Sequence, residues 1–154
     1  TQVFLPIAGY NYGASLMGRV KQTINTATIY ATLLASFVFI FLVVFPEQII
    51  LLFTKDTLVL SKAPSAMLWV FAATPIIAIQ LIGAAYFQAV GKAKPALLLT
   101  LSRQGFFFIP LILILPKFYG ELGVWISFPI SDVLSTLITA YFLRREVKLK
   151  LKTN

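Results

Sequence analysis

Two charged residues, Arg103 and Asp132, lie inside long apolar stretches of this 154-residue sequence. A carboxylate at such a position can bind a proton or a cation, and charges within membrane spans tend to face a bundle interior or a water-filled cavity. Counted from the same side of a membrane, Arg103 lies about 10 Å deep and Asp132 about 16 Å deep, at a rise of about 1.5 Å per residue. The arginine side chain is long enough to bridge that difference, so we expect an ion pair between two neighbouring helices.

The sequence leaves the role of this expected pair open. The pair could be structural and lock two helices together, or it could couple transport to a proton or another ion. Arg103 could also extend to the near membrane interface without a partner, as long basic side chains do. If the pair forms, we expect loss of one partner to harm folding or transport more than loss of both.

Three glutamines are further candidates for a transport cavity. Gln80 and Gln88 are eight residues apart in one apolar segment, which puts them on roughly one helix face at different depths. Such amides either line an aqueous path or form hydrogen bonds between helices. We favour a cavity-lining role for Gln80 and a helix-bridging role for Gln88. Gln104, directly after Arg103, is the third candidate.

The sequence lacks the residues on which most enzyme sites depend. It contains no His and no Cys, which excludes thiol catalysis, disulfides and zinc sites of the Cys/His type. Its five Asp and Glu residues are too few and too dispersed for a carboxylate metal site. The segment GKAKP has one glycine and lacks the spacing of a phosphate-binding loop. We therefore expect neither an enzyme nor an ATP-driven motor, and neither a cofactor nor a metal.

The composition is that of a membrane protein. Hydrophobic residues make up 59% of the chain and charged residues 12%, whereas soluble domains are about 45–50% apolar and about 25% charged. Four apolar segments have the roughly 20 residues that a spanning helix needs, and they cover residues 26–45, 66–90, 96–115 and 122–143. Residues 1–8 read as the end of a further span. Because the apolar runs are continuous rather than alternating, they favour helices over β-barrel strands. These patterns predict an all-α, polytopic helix bundle.

The distribution of basic residues predicts the orientation. The segments on one side of the spans, residues 9–22, 91–95 and 144–154, hold nine Lys and Arg residues, and the loops on the other side hold three. This positive-inside bias puts the tail at 144–154 in the cytoplasm. The net charge of +8 therefore indicates a lipid bilayer as partner and not a nucleic acid. On the opposite side, residues 46–62 mix apolar and charged residues and predict a short amphipathic helix in the interface.

Two prolines fall inside predicted spans, Pro75 in the second and Pro110 in the third. Proline removes a backbone hydrogen bond and kinks or unwinds a helix, which membrane helices tolerate when neighbouring groups satisfy the freed carbonyl. Each position is either a static kink or a moving hinge, and both interpretations stay open. Pro95 and Pro116 are expected to close the third span.

Three stretches of the sequence resemble multidrug and toxic compound extrusion (MATE) transporters, in the bacterial branch of drug/Na⁺ or H⁺ antiporters. PIAGYNYGA followed by GRVKQT is similar to the end of the eighth helix and the next cytoplasmic loop of that family. FQAVGKAKPALLLTLSRQGFFFIPLILILP is similar to the region of the tenth and eleventh helices, and GVWISFPISD is similar to the twelfth. The resemblance covers nearly the whole chain and identifies a family-motif loop made of Gly9, Tyr10, Asn11, Tyr12 and Gly13.

This resemblance implies a secondary active multidrug efflux transporter in the bacterial inner membrane. Such a protein has twelve helices in two lobes, and this chain would supply the last four helices and the end of the eighth, with an N-terminal lobe of the same polypeptide as its partner. The family exports small organic cations by alternating access, driven by Na⁺ or H⁺. Some relatives carry a carboxylate in the tenth helix, but the corresponding TPIIAIQ (residues 74–80) has none. Asp132 is therefore the acidic coupling candidate in this chain.

Two other functions stay open at the level of the sequence. A lipid-linked oligosaccharide or polysaccharide flippase of the same superfamily would favour a cavity rich in Arg and Lys, and this sequence has one intramembrane Arg. A non-transporting membrane scaffold would have little need of polar residues at depth, although tight packing alone could explain them.

Overall fold

The computed structural model describes residues 1–150, and within them the chain is helical throughout, with short turns and no strand. This confirms the predicted all-α class. A π-helical segment (Ser102–Phe108) joins two of the helices. The α-helices in chain order are α1 (Phe4–Gly13), α2 (Met17–Val44), α3 (Pro46–Leu51), α4 (Thr57–Phe71), α5 (Thr74–Ala89), α6 (Ala93–Leu101), α7 (Ile109–Tyr119) and α8 (Glu121–Lys150).

Three helical stretches of the described chain are long and apolar enough to cross a membrane by themselves. They are α2 with 28 residues, the stretch Ala93–Tyr119 with 27 and α8 with 30. Helices α4 and α5 meet the same criterion together, as one span bent by 43°. The second predicted span, drawn as continuous from 66 to 90, is therefore broken at residues 72–73, just before the Thr-Pro pair that begins α5.

The helices extend beyond the predicted spans because hydropathy marks only the part of a helix at hydrocarbon depth. Helix α2 begins at Met17, nine residues before the predicted span. Helix α8 continues through most of the expected tail to Lys150, since Arg, Lys and Glu are good helix formers in water; residues 151–154 of that tail lie outside the described part. Pro116 does not close the third span either: it lies within α7, which ends at Gly120 with a φ of 58°.

Residues 46–62 do not form the single interfacial helix that the sequence predicts. Helix α3 has only six residues, and α4 begins at Thr57 on the far side of a turn. Asp56 caps α4, because its Oδ1 accepts a hydrogen bond from the backbone N–H of Leu58 at 2.8 Å. A capping aspartate satisfies a helix N–H group that would otherwise lack a partner, so it starts a helix within the predicted one.

Helix α5 lies at the centre of the bundle and contacts α1, α2, α6 and α8. Its buried side chains form the middle of an apolar core to which four helices contribute. The members of this core are Phe4, Ala8, Val20, Ile24, Ile82, Ala85, Tyr86, Phe87 and Leu99. By contrast, the most apolar 18-residue window of α2 is not buried at all, which is the expected state of a surface in contact with lipid.

The basic segments gather at one end of the bundle. The end of α1 lies against the end of α5, because a Cβ on Gly9 would be 3.1 Å from the carbonyl oxygen of Ala89. Lys92, in the turn after α5, forms an ion pair with Glu146 near the end of α8. An ion pair between Lys62 and Glu121, 3.0 Å long, joins α4 to the start of α8 at the other end. The arrangement matches the grouping of loops on which the predicted orientation depends.

Candidate functional site

The predicted ion pair between Arg103 and Asp132 is present. Nε of Arg103 donates a hydrogen bond to Oδ1 of Asp132 at 2.6 Å. The Asp132 side chain is 5% exposed and the Arg103 side chain 34%. Because charge-assisted hydrogen bonds are stronger than neutral ones and a buried charge needs a partner, this contact holds α8 against the π-helical segment.

The π-helical segment that carries Arg103 follows from the proline after it. A π-helix pairs each carbonyl with the N–H five residues on instead of four, and such segments are frequent at functional sites. Pro110 has no N–H, so the carbonyl of Phe106 lacks its usual α-helical donor. Ser102 stabilises the start of the segment by donating from its hydroxyl to the carbonyl of Leu99 at 2.8 Å. The two sequence features that found this region, a mid-span proline and a mid-span arginine, thus belong to one structural element.

A pocket of about 280 Å³ adjoins the ion pair. The rings of Phe108 and Phe128 form part of its wall, with centroids 4.6 Å apart. Aromatic faces attract cations, whereas the carboxylate of Asp132 is already neutralised by Arg103. Ligand pockets usually measure about 300–1,000 Å³, so this one suits a small hydrated cation or one ring of a larger ligand. Its polar lining consists of Arg103, Gln104, Ser131 and Asp132.

The three candidate glutamines occupy different environments. Gln104 is exposed and lines the pocket beside the ion pair. Gln80 is 4% exposed, and its Nε2 donates to the carbonyl of Leu99 at 3.2 Å, which joins α5 to α6. Gln88 is exposed and makes no side-chain hydrogen bond within residues 1–150. The geometry is thus the reverse of the preference drawn from depth alone: the helix-bridging glutamine is Gln80.

Both hinge candidates lie where a helix begins. Pro75 is in the first turn of α5, next to the 43° bend. Pro110 is in the first turn of α7, directly after the π-helical segment. Proline suits this position because the first N–H groups of a helix have no partner within it. Each proline thus marks a change of helix direction or type, and whether either change is mobile stays a prediction.

The family-motif residues 9–13 are helical and form the last turns of α1, not the loop that the sequence predicts. Asn11 stabilises the helix from within, because its Nδ2 donates to the carbonyl of Ile7 at 2.8 Å. Asn11 is also buried. The loop itself is short and comes afterwards, with Ser15 in the left-handed region at a φ of 58°. The motif therefore includes a helix end that packs against α5, together with the tight turn that follows.

A stripe of small polar residues on α8 escaped the sequence analysis. Ser127, Ser131, Ser135 and Thr139 are all buried, and each hydroxyl donates to a carbonyl of α8 itself. Their spacing of four residues is the signal that could have found them, because small residues at i and i+4 form a face on which another helix can pack closely. Gly83 of α5 sits against Thr139, with no room for a Cβ.

Within residues 1–150, no three His, Cys, Asp or Glu side chains gather into a group that could hold a metal ion. The structure brings Arg103, Gln104 and Asp132 together and leaves Gln80 and Gln88 apart from them. The chemistry available at the pocket is the binding of a cation by aromatic rings and by a carboxylate whose charge an arginine can release or cover.

A family model described as MatE matches residues 4–114 of the chain. The MATE multidrug transporter DinF-BH, solved in complex with a rhodamine dye, is 41% identical over 99% of this chain, with a TM-score of 0.90. A multidrug resistance MATE family transporter of the MOP superfamily, solved in an outward-facing conformation, is 20% identical over 97% of this chain, with a TM-score of 0.89. This chain spans about a third of each of those proteins, 34% in both cases. The comparison with curated proteins found no match.

Proposed function

This chain belongs to the MATE family of membrane transporters, and from that premise we propose that it is part of a secondary active transporter that exports organic cations in exchange for Na⁺ or H⁺. The observation that carries the proposal is the likeness to DinF-BH, at 41% identity over 99% of the chain. That transporter was solved with a cationic rhodamine dye bound, which supports organic cations as the cargo class.

The second part of the proposal is that the chain works against an N-terminal lobe of the same polypeptide. The chain spans 34% of the DinF-BH chain, and alternating access needs two bodies that rock against each other around a site near the membrane midplane. Four spans supply one such body. We assign the organic cation to the space between the lobes, with the pocket beside Phe108 and Phe128 as the contribution of this chain.

Asp132 and Arg103 suggest how cargo and coupling ion exclude each other. While the two side chains are paired, the pocket is close to neutral and its aromatic rings are free to attract an organic cation. A proton or Na⁺ on the Asp132 carboxylate leaves the Arg103 charge uncompensated beside the pocket, and that positive charge disfavours a cationic cargo. Coupling between two sites is reciprocal, so a bound organic cation disfavours the coupling ion in the same measure, which is the condition for antiport.

The test is efflux of ethidium from cells that make the protein containing this chain, with the Na⁺ and H⁺ gradients collapsed separately. We expect efflux to depend on one of the two gradients, which identifies the coupling ion. Asp132→Asn is expected to abolish gradient-dependent efflux at a normal membrane level. Glu121→Gln is the matched control, since it neutralises a paired acid of α8 whose side chain is 56% exposed, and it should leave efflux unchanged.

Two outcomes of this experiment would contradict the proposal. Well-expressed protein that moves no cationic dye would favour a lipid-linked oligosaccharide flippase. Normal gradient-dependent efflux by Asp132→Asn would remove Asp132 from the coupling mechanism and leave it as a helix lock.

We further propose that the transporter lies in the bacterial inner membrane with the basic end of the bundle in the cytoplasm. The ion pair of Lys92 with Glu146 and the contact of Gly9 with Ala89 support a common end for the basic segments, and positive loops stay on the cytoplasmic side. A reporter fused after residue 154 and active only in the cytoplasm tests this. Activity of a periplasmic reporter at the same point would reverse the orientation.

A further inference from the structure

A groove of about 410 Å³ opens between α6 and α8 at the basic end of the bundle, away from the pocket beside Asp132. Its rim is charged, with Lys92, Lys94, Arg145 and Glu146, and its wall is apolar. The wall consists of Phe87, Pro95, Leu98, Phe142 and Leu149. The groove therefore combines positive charge at the end of the spans with apolar surface beside it.

The charges at the rim are unbalanced. Lys92 and Glu146 neutralise each other in an ion pair whose side chains are 24% and 12% exposed. Lys94 and Arg145 are exposed and have no acidic partner within residues 1–150, so the rim carries two free positive charges. The first turn of α6 also points its positive dipole end into the groove, which favours a negative group there.

The apolar wall distinguishes a lipid from a soluble anion. Leu98 lines the groove and is 50% exposed, and Leu101, three residues further into the span, is 44% exposed. Residues three apart lie on one face of a helix, so an apolar track leads from the charged rim towards the membrane interior. A free phosphate would use only the cations, whereas a phospholipid uses both its headgroup and an acyl chain.

We propose that this groove is a binding site for an anionic phospholipid, with the headgroup phosphate between Lys94 and Arg145 and one acyl chain along Leu98 and Leu101 of α6. Basic pockets between membrane helices on the cytoplasmic side bind anionic headgroups in this manner. The site is separate from the cargo pocket, so its occupancy stabilises the packing of α6 against α8 whether or not cargo is present.

The test uses native mass spectrometry of the purified protein that contains this chain, titrated with phosphatidylglycerol or with phosphatidylcholine. Each Lys or Arg near an anionic lipid surface contributes about fivefold in affinity. The Lys94→Ala/Arg145→Ala double variant should therefore bind phosphatidylglycerol roughly 25-fold more weakly, with no change for phosphatidylcholine. Both side chains are exposed and lack an acidic partner in the described part of the chain, so the variant should fold normally, and an unchanged melting temperature in phosphatidylcholine checks this.

The matched control is Arg144→Ala/Lys148→Ala, which removes two positive charges from the same end of α8 but leaves the lining of the groove intact. We expect this variant to retain most of the phosphatidylglycerol affinity. An equal loss in both double variants would overturn the site, since only diffuse surface charge would then attract the lipid. Competition by glycerol phosphate as strong as that by the intact lipid would also overturn it, because the groove would then recognise a soluble anion.

Discussion

Breaking the Arg103–Asp132 pair from its two sides should cost different amounts of stability. The change is a double-mutant cycle of Arg103→Met, Asp132→Leu and both together, in the protein that contains this chain. Arg103→Met leaves a carboxylate that is 5% exposed without its partner. Removal of one partner from a buried ion pair costs about 3–5 kcal/mol, and a charge at the centre of a membrane helix costs about 2.5–3.5 kcal/mol. We therefore expect Arg103→Met to lower the free energy of unfolding by about 3 kcal/mol.

Asp132→Leu leaves the arginine behind, and the arginine has a way out. Its side chain is 34% exposed and its long stem lets the guanidinium move towards water, so the loss should be close to that of one charged hydrogen bond, about 1.5 kcal/mol. The double variant replaces both charges by apolar side chains of similar size, a change that is often neutral. We expect it to be within about 1 kcal/mol of the wild type, which gives a coupling energy of about 3 kcal/mol.

The assay is equilibrium unfolding in mixed detergent micelles, followed by the fluorescence of tryptophan. The matched control is the cycle Lys62→Met with Glu121→Leu, because that pair joins the same helix α8 to another but has side chains 57% and 56% exposed. Exposed pairs couple by less than about 1 kcal/mol. Additive losses at Arg103 and Asp132, or a larger loss for Asp132→Leu than for Arg103→Met, would refute the account of a buried carboxylate held by a movable arginine.

Three further changes test the packing around the site. Gly123→Ala should lower the free energy of unfolding by about 1–3 kcal/mol, since its Cβ would lie 2.5 Å from the backbone of Leu115, whereas Gly105→Ala, with 4.0 Å to its nearest neighbour, is the control and should cost less; equal melting temperatures would contradict the close approach of α7 and α8. Gln80→Leu should change stability by less than about 1 kcal/mol, because it removes a single interhelical hydrogen bond together with a buried carbonyl oxygen that has no partner, and unchanged ethidium efflux would agree with a bridging role, while altered dye selectivity would return Gln80 to the cavity. Pro75→Ala removes no hydrogen-bond donor, so the melting temperature should hold, and a matching loss of efflux would identify the bend before α5 as mobile.

The sequence predicted the features that depend on depth in the membrane. Continuous apolar runs located the spans, and the depths of Arg103 and Asp132 sufficed to predict their contact. These inferences succeed because hydropathy and helical rise are properties of a single segment. Depth is also why the two charges, which no other acid or base in their spans could satisfy, had to find each other.

Features that depend on the facing of helices were beyond the sequence. Gln80 and Gln88 share one face to within the precision of helix periodicity, yet only Gln80 meets a neighbouring carbonyl, because α6 passes α5 at that level. The break before Pro75 was expected only as a kink, since the composition of 66–90 is apolar on both sides of it. The stripe on α8 was overlooked because Ser and Thr satisfy their own hydroxyls within the helix and so resemble apolar packing residues.

The three ion pairs of the described chain all involve α8, through Glu121, Asp132 and Glu146. At about 100° per residue these three acids fall within roughly 40° of one line along the helix, spread over about 38 Å. A slip of α8 by a single residue would turn the line away from all three partners at once, so its register is all-or-none. Helices α1 and α2 have no side-chain hydrogen bond to another helix within residues 1–150. The lobe is therefore divided into a frame around α8 that ion pairs hold in register and a pair of helices, α1 and α2, that can shift on apolar contacts alone.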